Sequence, residues 1–320
     1  MTEPGERILR IVFLGTADFA VPVLRSLAAG LDPIVGVFTP PDRPAGRGRR
    51  LRPPPVKTTA EELGLLVFQP ERVSAGAGFE RLQALSPDLL FVAAFGQILA
   101  PQVLALPRIG ALNLHASLLP RYRGAAPIQR ALMAGEQITG VTVQWMAPEM
   151  DAGDILLQRQ LEIGEDEDFG RLHDRLADLG AQAACESISL IHRGDAPRLP
   201  QDRSQATFAP PITPADLTLD WTRPALTLAR QVRALAPRPG ARTTRRGELL
   251  KVLHAHPGKN HAHGGGIPGQ IMEFSSDGFR VTTGEGVLVV TGVQPAGRTS
   301  MAAADYLKGY RLEQGERLGL

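Results

Sequence analysis

Apolar positions along the chain fall into distinct kinds of run, and their order predicts the architecture. Residues 8–16 (ILRIVFLGT) and 86–96 (SPDLLFVAAFG) are continuous apolar stretches closed by glycine, the pattern of strands buried on both faces of a parallel sheet. Residues 18–30 place Phe19, Val23, Leu24 and Leu27 at helical spacing, with Asp18 as N-cap and Gly30 as stop, and residues 33–39 give a further strand. Strand, helix, strand in this order is a βαβ unit and favours a doubly wound sheet. Residues 127–134 read as a helix stopped by Gly135. Residues 139–146 (TGVTVQWM) alternate, and residues 154–163 (DILLQRQLEI) are expected to pair with them antiparallel. Phe169, Leu172, Leu176, Leu179 and Ala183 mark a long amphipathic helix over residues 168–192, with His173 and His192 expected in solvent.

The pattern then changes. Residues 204–216 are rich in Pro, Thr and Ser with little apolar periodicity and read as a linker. Trp221 precedes a helix with Thr222 as N-cap, Pro224 in the first turn and an apolar face of Leu228, Val232 and Leu235. Short strands follow, separated by the hairpin signals Ser276-Asp277-Gly278 and Gly284-Glu285-Gly286. The expected fold is α/β: a Rossmann-like doubly wound domain over residues 1–203, the linker, and a smaller OB-like β-barrel over residues 217–320. A length of 320 residues suits two domains.

Composition narrows the function. No apolar run approaches the roughly 20 residues of a membrane helix, the N-terminus lacks a signal peptide's layout, and the single cysteine, Cys185, excludes an intrachain disulfide or a multi-cysteine zinc site. The expected location is the cytoplasm. The net charge of +2 is uneven, −3 over residues 1–205 and +5 over residues 206–320, which points weakly to an anionic macromolecule. Residues 40–57 (PPDRPAGRGRRLRPPPVK) carry Arg43, Arg47, Arg49, Arg50, Arg52 and Lys57 against Asp42 alone. Their prolines and glycines predict an exposed loop without regular structure, and a polyphosphate partner would relieve the mutual repulsion. Thr59 and Glu62 then read as a capping box opening a short helix. The turn at Gly15-Thr16 is not a GxGxxG fingerprint, and there is no Walker A motif. His254, His256, His261 and His263 read as a histidine-rich hairpin tip and not as a metal centre, since no acids accompany them.

Candidate chemistry centres on residues 111–127 (ALNLHASLLPRYRGAAP), where Asn113 and His115 sit at the end of a short buried strand. Strand ends in open α/β sheets are where ligands bind. Taken alone, the pair reads equally as a capped strand with a hydrogen-bonded core histidine. Asp151, in an acidic glycine-containing loop between two predicted strands, supplies a carboxylate that would orient the imidazole. An amide, an imidazole and a carboxylate without a Ser or Cys nucleophile suit acyl transfer between two bound substrates, the protein stabilising the oxyanion and moving protons.

The run NLHASLLPRYRGAAPIQRAL resembles the folate-dependent formyltransferases, which share Asn-X-His, Ser-Leu-Leu-Pro and an Arg-Gly-Ala-Pro-like loop. The PDRPAGRG loop, the Trp221 helix and VQPAGR narrow the resemblance to the branch that formylates methionyl-tRNA, over nearly the whole chain. The resemblance implies formyl transfer from 10-formyltetrahydrofolate to the α-amino group of methionine on initiator tRNA, by a monomer without a metal. It makes Asn113, His115 and Asp151 catalytic, and it assigns Phe95, Gly96, Ser117, Leu118, Leu119 and Pro120 to folate. Arg47 falls to the tRNA, with Arg43, Arg49 and Arg50 as helpers, and the C-terminal barrel also binds tRNA. Other members of the family would formylate a sugar nucleotide or another small amine, for which the basic loop has no use.

Overall fold

The computed structural model describes residues 8–45, 50–258 and 266–320, which leaves Arg47, Arg49, His261 and His263 outside the described residues. The described chain groups into two compact units: residues up to Gly124 with Ile138–Glu162 and His173–Ala209, and Ala125–Gln137 with Ile163–Leu172 and Pro210–Leu320.

In chain order the elements are β1 (Ile11–Gly15), α1 (Val21–Ala28), β2 (Ile34–Phe38), β3 (Arg43–Ala45), β4 (Arg50–Arg52), α2 (Pro55–Glu62), β5 (Val67–Phe68), α3 (Gly76–Ala84), β6 (Leu89–Ala93), α4 (Pro101–Leu104) and β7 (Gly110–His115). Then come α5 (Pro127–Ala134), β8 (Ile138–Trp145), β9 (Ile155–Glu162) and α6 (Phe169–Arg193). The main sheet of the first unit has the order β5-β2-β1-β6-β7-β8-β9. The first five are parallel, and β8 and β9 run antiparallel as the alternating patterns predict. From β1 the chain winds outward through β2 and β5, then returns to β6 on the other side of β1, so the topological switch lies between β1 and β6. Val12, Leu14, Phe38, Leu90 and Val92 fill the core on one side of these strands. On β7, a Cβ added to Gly180 of α6 would lie 2.6 Å from Leu114. The helix therefore seats against this strand at van der Waals contact.

The second unit contains α7 (Pro214–Leu217), α8 (Ala225–Leu235), β10 (Ala241–Arg245), β11 (Glu248–Pro257), β12 (Ile271–Ser275), β13 (Gly278–Thr282), β14 (Val287–Pro295), β15 (Met301–Ala302) and α9 (Ala303–Gly309). Its strands form one antiparallel sheet, β10-β11-β14-β13-β12, with β15 on β14. Leu228, Val232 and Leu235 of α8 are fully buried in its core with Trp221, Val252 and Val290, as the periodicity requires. Both hairpin signals fall at turns, between β12 and β13 and between β13 and β14. Asp216 accepts a bidentate hydrogen bond from Arg130, which is the main reason its carboxyl is held well below the usual carboxylate range.

Several local expectations are corrected. Asp18 caps nothing: it lies inside a short 3-10 helix that follows Ala17, and α1 begins at Val21 with a proline in its first turn. Residues 40–57 are not wholly irregular, because β3 and β4 form a ribbon pairing Arg43 with Arg52 and Pro44 with Leu51. A two-stranded ribbon leaves outer edges on which a proline costs no ladder bond. Thr59 is interior to α2, which starts at Pro55 because the ring presets the helical φ. Thr222 is not an N-cap: its N–H and hydroxyl both donate to Asp220, and α8 starts three residues later. His173 is partly buried edge-on against Phe19 and so does not simply face solvent, whereas His192 is exposed as expected, its Nε2 2.7 Å from the buried Asp32 carboxylate. His256 lies on β11, its Nδ1 3.1 Å from the Pro257 carbonyl. Among the described residues no helix is long and apolar enough to cross a membrane.

Candidate active site

Side chains on a strand alternate between faces, so Asn113 and His115 emerge from β7 on the same side. Their antiparallel partners on β8 are Gln144 and Thr142. Both faces of β8 are buried, and Thr142 and Gln144 are among the least accessible polar side chains of the unit. Such residues must find partners. Thr142 donates to the Ser117 carbonyl and accepts from the Leu119 N–H and the Gln158 amide, which fixes the loop after β7. Gln144 donates to Asp151 Oδ1 at 3.0 Å.

His115 is buried, and its Nε2 lies 2.9 Å from the Tyr122 carbonyl. A carbonyl only accepts, so this nitrogen carries a proton and Nδ1 is the variable one. Nδ1 lies 3.6 Å from Asp151 Oδ2. The same carboxylate oxygen accepts the Gly124 N–H at 2.9 Å. Asp151 itself adopts φ 51°, the left-handed region that a non-glycine residue occupies at a cost. The Asn113 amide is half-buried and makes no side-chain hydrogen bond to another described residue. Its donors remain available to a ligand.

At the neighbouring strand end, Ala94 and Gly96 have φ 44° and 80°, and the Thr16 hydroxyl at the end of β1 donates to the Phe95 carbonyl. The switch point between β1 and β6 is thus spanned by a bent, positive-φ segment. A Cβ at Gly96 would meet nothing within 4 Å, so open space lies above it. Phe95 packs into the core. Of the next predicted segment, Ser117 donates to the Arg121 carbonyl and is buried, Leu119 is buried, and Leu118 and Pro120 are half-exposed at the rim. The structure therefore brings Asn113, His115 and Asp151 together and spends Ser117 and Leu119 on holding the loop. Arg43 is exposed on β3, 3.9 Å from Glu71; of Arg50 the backbone alone is described.

Sequence reasoning missed Gln144, Thr142 and Gln158. For Thr142 and Gln144 the readable signal was polar residues alternating with Val141, Val143 and Trp145 in a strand buried on both faces. It also missed Arg123 and Gln201, which bond to one another beside Asp151.

Comparison with known proteins accounts for this geometry. The formyl transferase family model matches residues 9–188, and the formyl transferase C-terminal domain model matches residues 211–311. A methionyl-tRNA formyltransferase of Moorella thermoacetica is 50% identical over 311 residues, 97% of this chain and 99% of the relative. The chain belongs to the methionyl-tRNA formyltransferase family. The enzyme of that name from Halorhodospira halophila is also 50% identical, over 96% of this chain and 98% of its own length. Among solved structures, the sugar 3N-formyl transferase WlaRD superposes with a TM-score of 0.67 at 16% identity, over 92% of this chain and 100% of its own. HypX from Aquifex aeolicus gives 0.63 at 18% identity, over 97% of this chain and 49% of its own. Methionyl-tRNA formyltransferases thus share this chain's sequence nearly end to end, while the remote structures share its fold.

Proposed function

We propose that the protein transfers the formyl group of 10-formyltetrahydrofolate to the α-amino group of methionine carried by initiator tRNA, as a monomer in the cytoplasm. The observation that carries the reading is the convergence of Asn113, His115 and Asp151 at the end of β7, the amide without a partner among the described residues and the imidazole held between a carbonyl and a carboxylate. The folate lies against the open space above Gly96, beside Phe95 and the 117–120 loop, with Leu118 and Pro120 at its edge. No metal takes part.

The chemistry follows from these groups. A free α-amino group titrates near pH 8, and the ester linkage lowers that, so a neutral nucleophile is available at pH 7. The amine adds to the formyl carbon. Asn113 donates to the developing oxyanion, and His115 Nδ1 takes the proton that the amine sheds. Asp151 stabilises the resulting imidazolium across the 3.6 Å gap. As the bond from the formyl carbon to folate N10 breaks, His115 returns the proton to the leaving nitrogen. One such oxyanion donor is worth on the order of 100- to 1000-fold in rate.

Clustered cations support the tRNA as substrate. Arg43 and Arg52 stand directly opposite one another on the β3–β4 ribbon, with the exposed Glu71 3.9 Å from Arg43 as a nearby acid, and like charges so placed repel. Arg47, Arg49 and Arg50 extend that basic stretch in sequence. In the second unit Arg242 and Lys251 are likewise opposed across β10 and β11. Burial, then Arg242 and Arg238, lower the Lys251 pKa, and a buried Arg242 Nε has no hydrogen-bond partner among the described residues. Phosphates would satisfy these groups. The test is formylation with labelled 10-formyltetrahydrofolate: methionyl initiator tRNA should become labelled, whereas label on an amino-sugar nucleotide with none on tRNA would replace this reading by small-amine formylation.

A further inference from the structure

Three consecutive residues, Tyr122, Arg123 and Gly124, each hold part of the candidate site. The Tyr122 carbonyl accepts from His115 Nε2, and the Gly124 N–H donates to Asp151 Oδ2. Between them the Arg123 side chain is 4% exposed, an unusual state for a guanidinium unless it is well paired. It donates to Gln201 Oε1 through Nε at 3.1 Å and Nη2 at 2.7 Å, and its Nη1 lies 3.8 Å from Glu149.

Gln201 passes this constraint on. Its Nε2 donates to the Asp151 carbonyl at 2.9 Å and to the Gly153 carbonyl at 2.7 Å, and it lies 3.5 Å from Gln144 Oε1. Gln144 in turn holds Asp151 Oδ1. One amide thus grips the backbone on both sides of Ala152, in the loop where Asp151 is kept at positive φ. The next residues pin the same strip: Arg123 N–H donates to the Thr207 carbonyl, Ala209 N–H to the Arg123 carbonyl, and Tyr122 N–H to Thr207 Oγ1.

We propose that Gln201, braced by Arg123, is a positioning residue for formyl transfer: it locks the Asp151 loop to the same strip of chain that holds His115, and so sets the carboxylate–imidazole geometry. The proposal rests on the catalytic reading of Asp151 given above. Acceptor and donor ends of the amide have separable tasks. Its oxygen takes the arginine, and its nitrogen takes the loop.

Gln201→Glu and Gln201→Ala divide those tasks. Gln201→Glu keeps an acceptor for Arg123 and adds a charge pair, but has no N–H for the Asp151 and Gly153 carbonyls. With saturating folate and tRNA, both variants should lose roughly 10- to 100-fold in kcat, with KM for either substrate changed by less than about twofold, the mark of lost transition-state geometry. Gln201→Glu should retain its Tm, and the Gly124 amide should exchange with deuterium faster in both variants. A Gln201→Glu enzyme with wild-type kcat would show that the residue serves stability alone and would overturn the proposal. So would a kcat loss in Gln201→Ala that matches its unfolded fraction. A wild-type protein that moves no formyl group would bring down the functional reading and this proposal together, whereas an active wild type with active variants brings down only this one.

Discussion

A single methyl group at Gly153 tests whether the Asp151 loop has one workable path. A Cβ there would lie 1.7 Å from the Trp145 carbonyl oxygen and 3.2 Å from the Ala147 nitrogen. Cβ contacts below 3.0 Å are essentially never tolerated, so about 1.3 Å must open, and the obstacle is strand backbone that has no rotamer to swing away. That strand end is further tied by the Trp145 N–H to the Asp154 carbonyl at 2.8 Å. The loop must give instead. A shift of that size, passed along two residues, takes Asp151 Oδ2 out of hydrogen-bond range of the Gly124 N–H, now at 2.9 Å. Displacements near 1 Å cost about 100-fold in rate, and overpacking of this kind costs about 1–3 kcal/mol in stability. Gly153→Ala is therefore expected to lose about 100-fold in kcat while remaining largely folded at 25 °C. The assay is initial formylation velocity at saturating substrates, alongside a urea melt. Gly309→Ala is the control, since a Cβ there meets nothing within 4 Å. A folded Gly153→Ala enzyme with kcat within about threefold of wild type would refute the claim that loop geometry sets the rate.

Two further outcomes are expected. Arg52→Ala and Lys251→Ala should each weaken tRNA binding and reduce the slope of log affinity against log salt by about 1, with folate binding unchanged, as fluorescence titrations across salt concentrations would show. Acid stability should depend on Asp216: its folded pKa is depressed, so its contribution is present above its unfolded value near 3.8 and is lost as pH falls below that value. Melts of wild type and Asp216→Asn between pH 2 and pH 6 would show the variant with a flatter acid limb; parallel curves would remove the Arg130–Asp216 pair from the stability of the second unit.

Much of the fold was legible because its strands are buried on both faces and its long helices are periodic. β1, β6 and β7, the β8–β9 pair, α6 and the buried face of α8 all follow from apolar spacing. The β3–β4 ribbon was not legible, since Pro44 and a row of arginines carry no strand signal and its pairing needs no core. Starts of helices slipped for a related reason: a proline opens α2 and another caps α8, while Thr59 lies inside its helix and Thr222 bonds back to Asp220. The candidate site was half legible. Asn113 and His115 declare themselves at a strand end, and an acid in a glycine loop offers Asp151. Gln201 could not be found locally, because its partner Asp151 lies 50 residues away in sequence and Arg123 lies 78 away. It sits in the stretch just before the segment read as linker, where composition suggests nothing to hold. In the segment assigned to folate, the Ser117 hydroxyl and the Leu119 N–H bond within the protein and shape the loop, a local role that sequence alone does not display.

The central claim is that Asn113, His115 and Asp151 form the formyl-transfer centre, and single-turnover formylation tests it most directly. Wild type, His115→Ala and Asp151→Ala, at equal concentrations of folded protein, are each mixed with labelled 10-formyltetrahydrofolate and methionyl initiator tRNA. Wild type should transfer label to the tRNA, and each variant should be slower by on the order of 1000-fold while binding folate and tRNA as wild type does. Near-normal transfer by either variant would contradict the account.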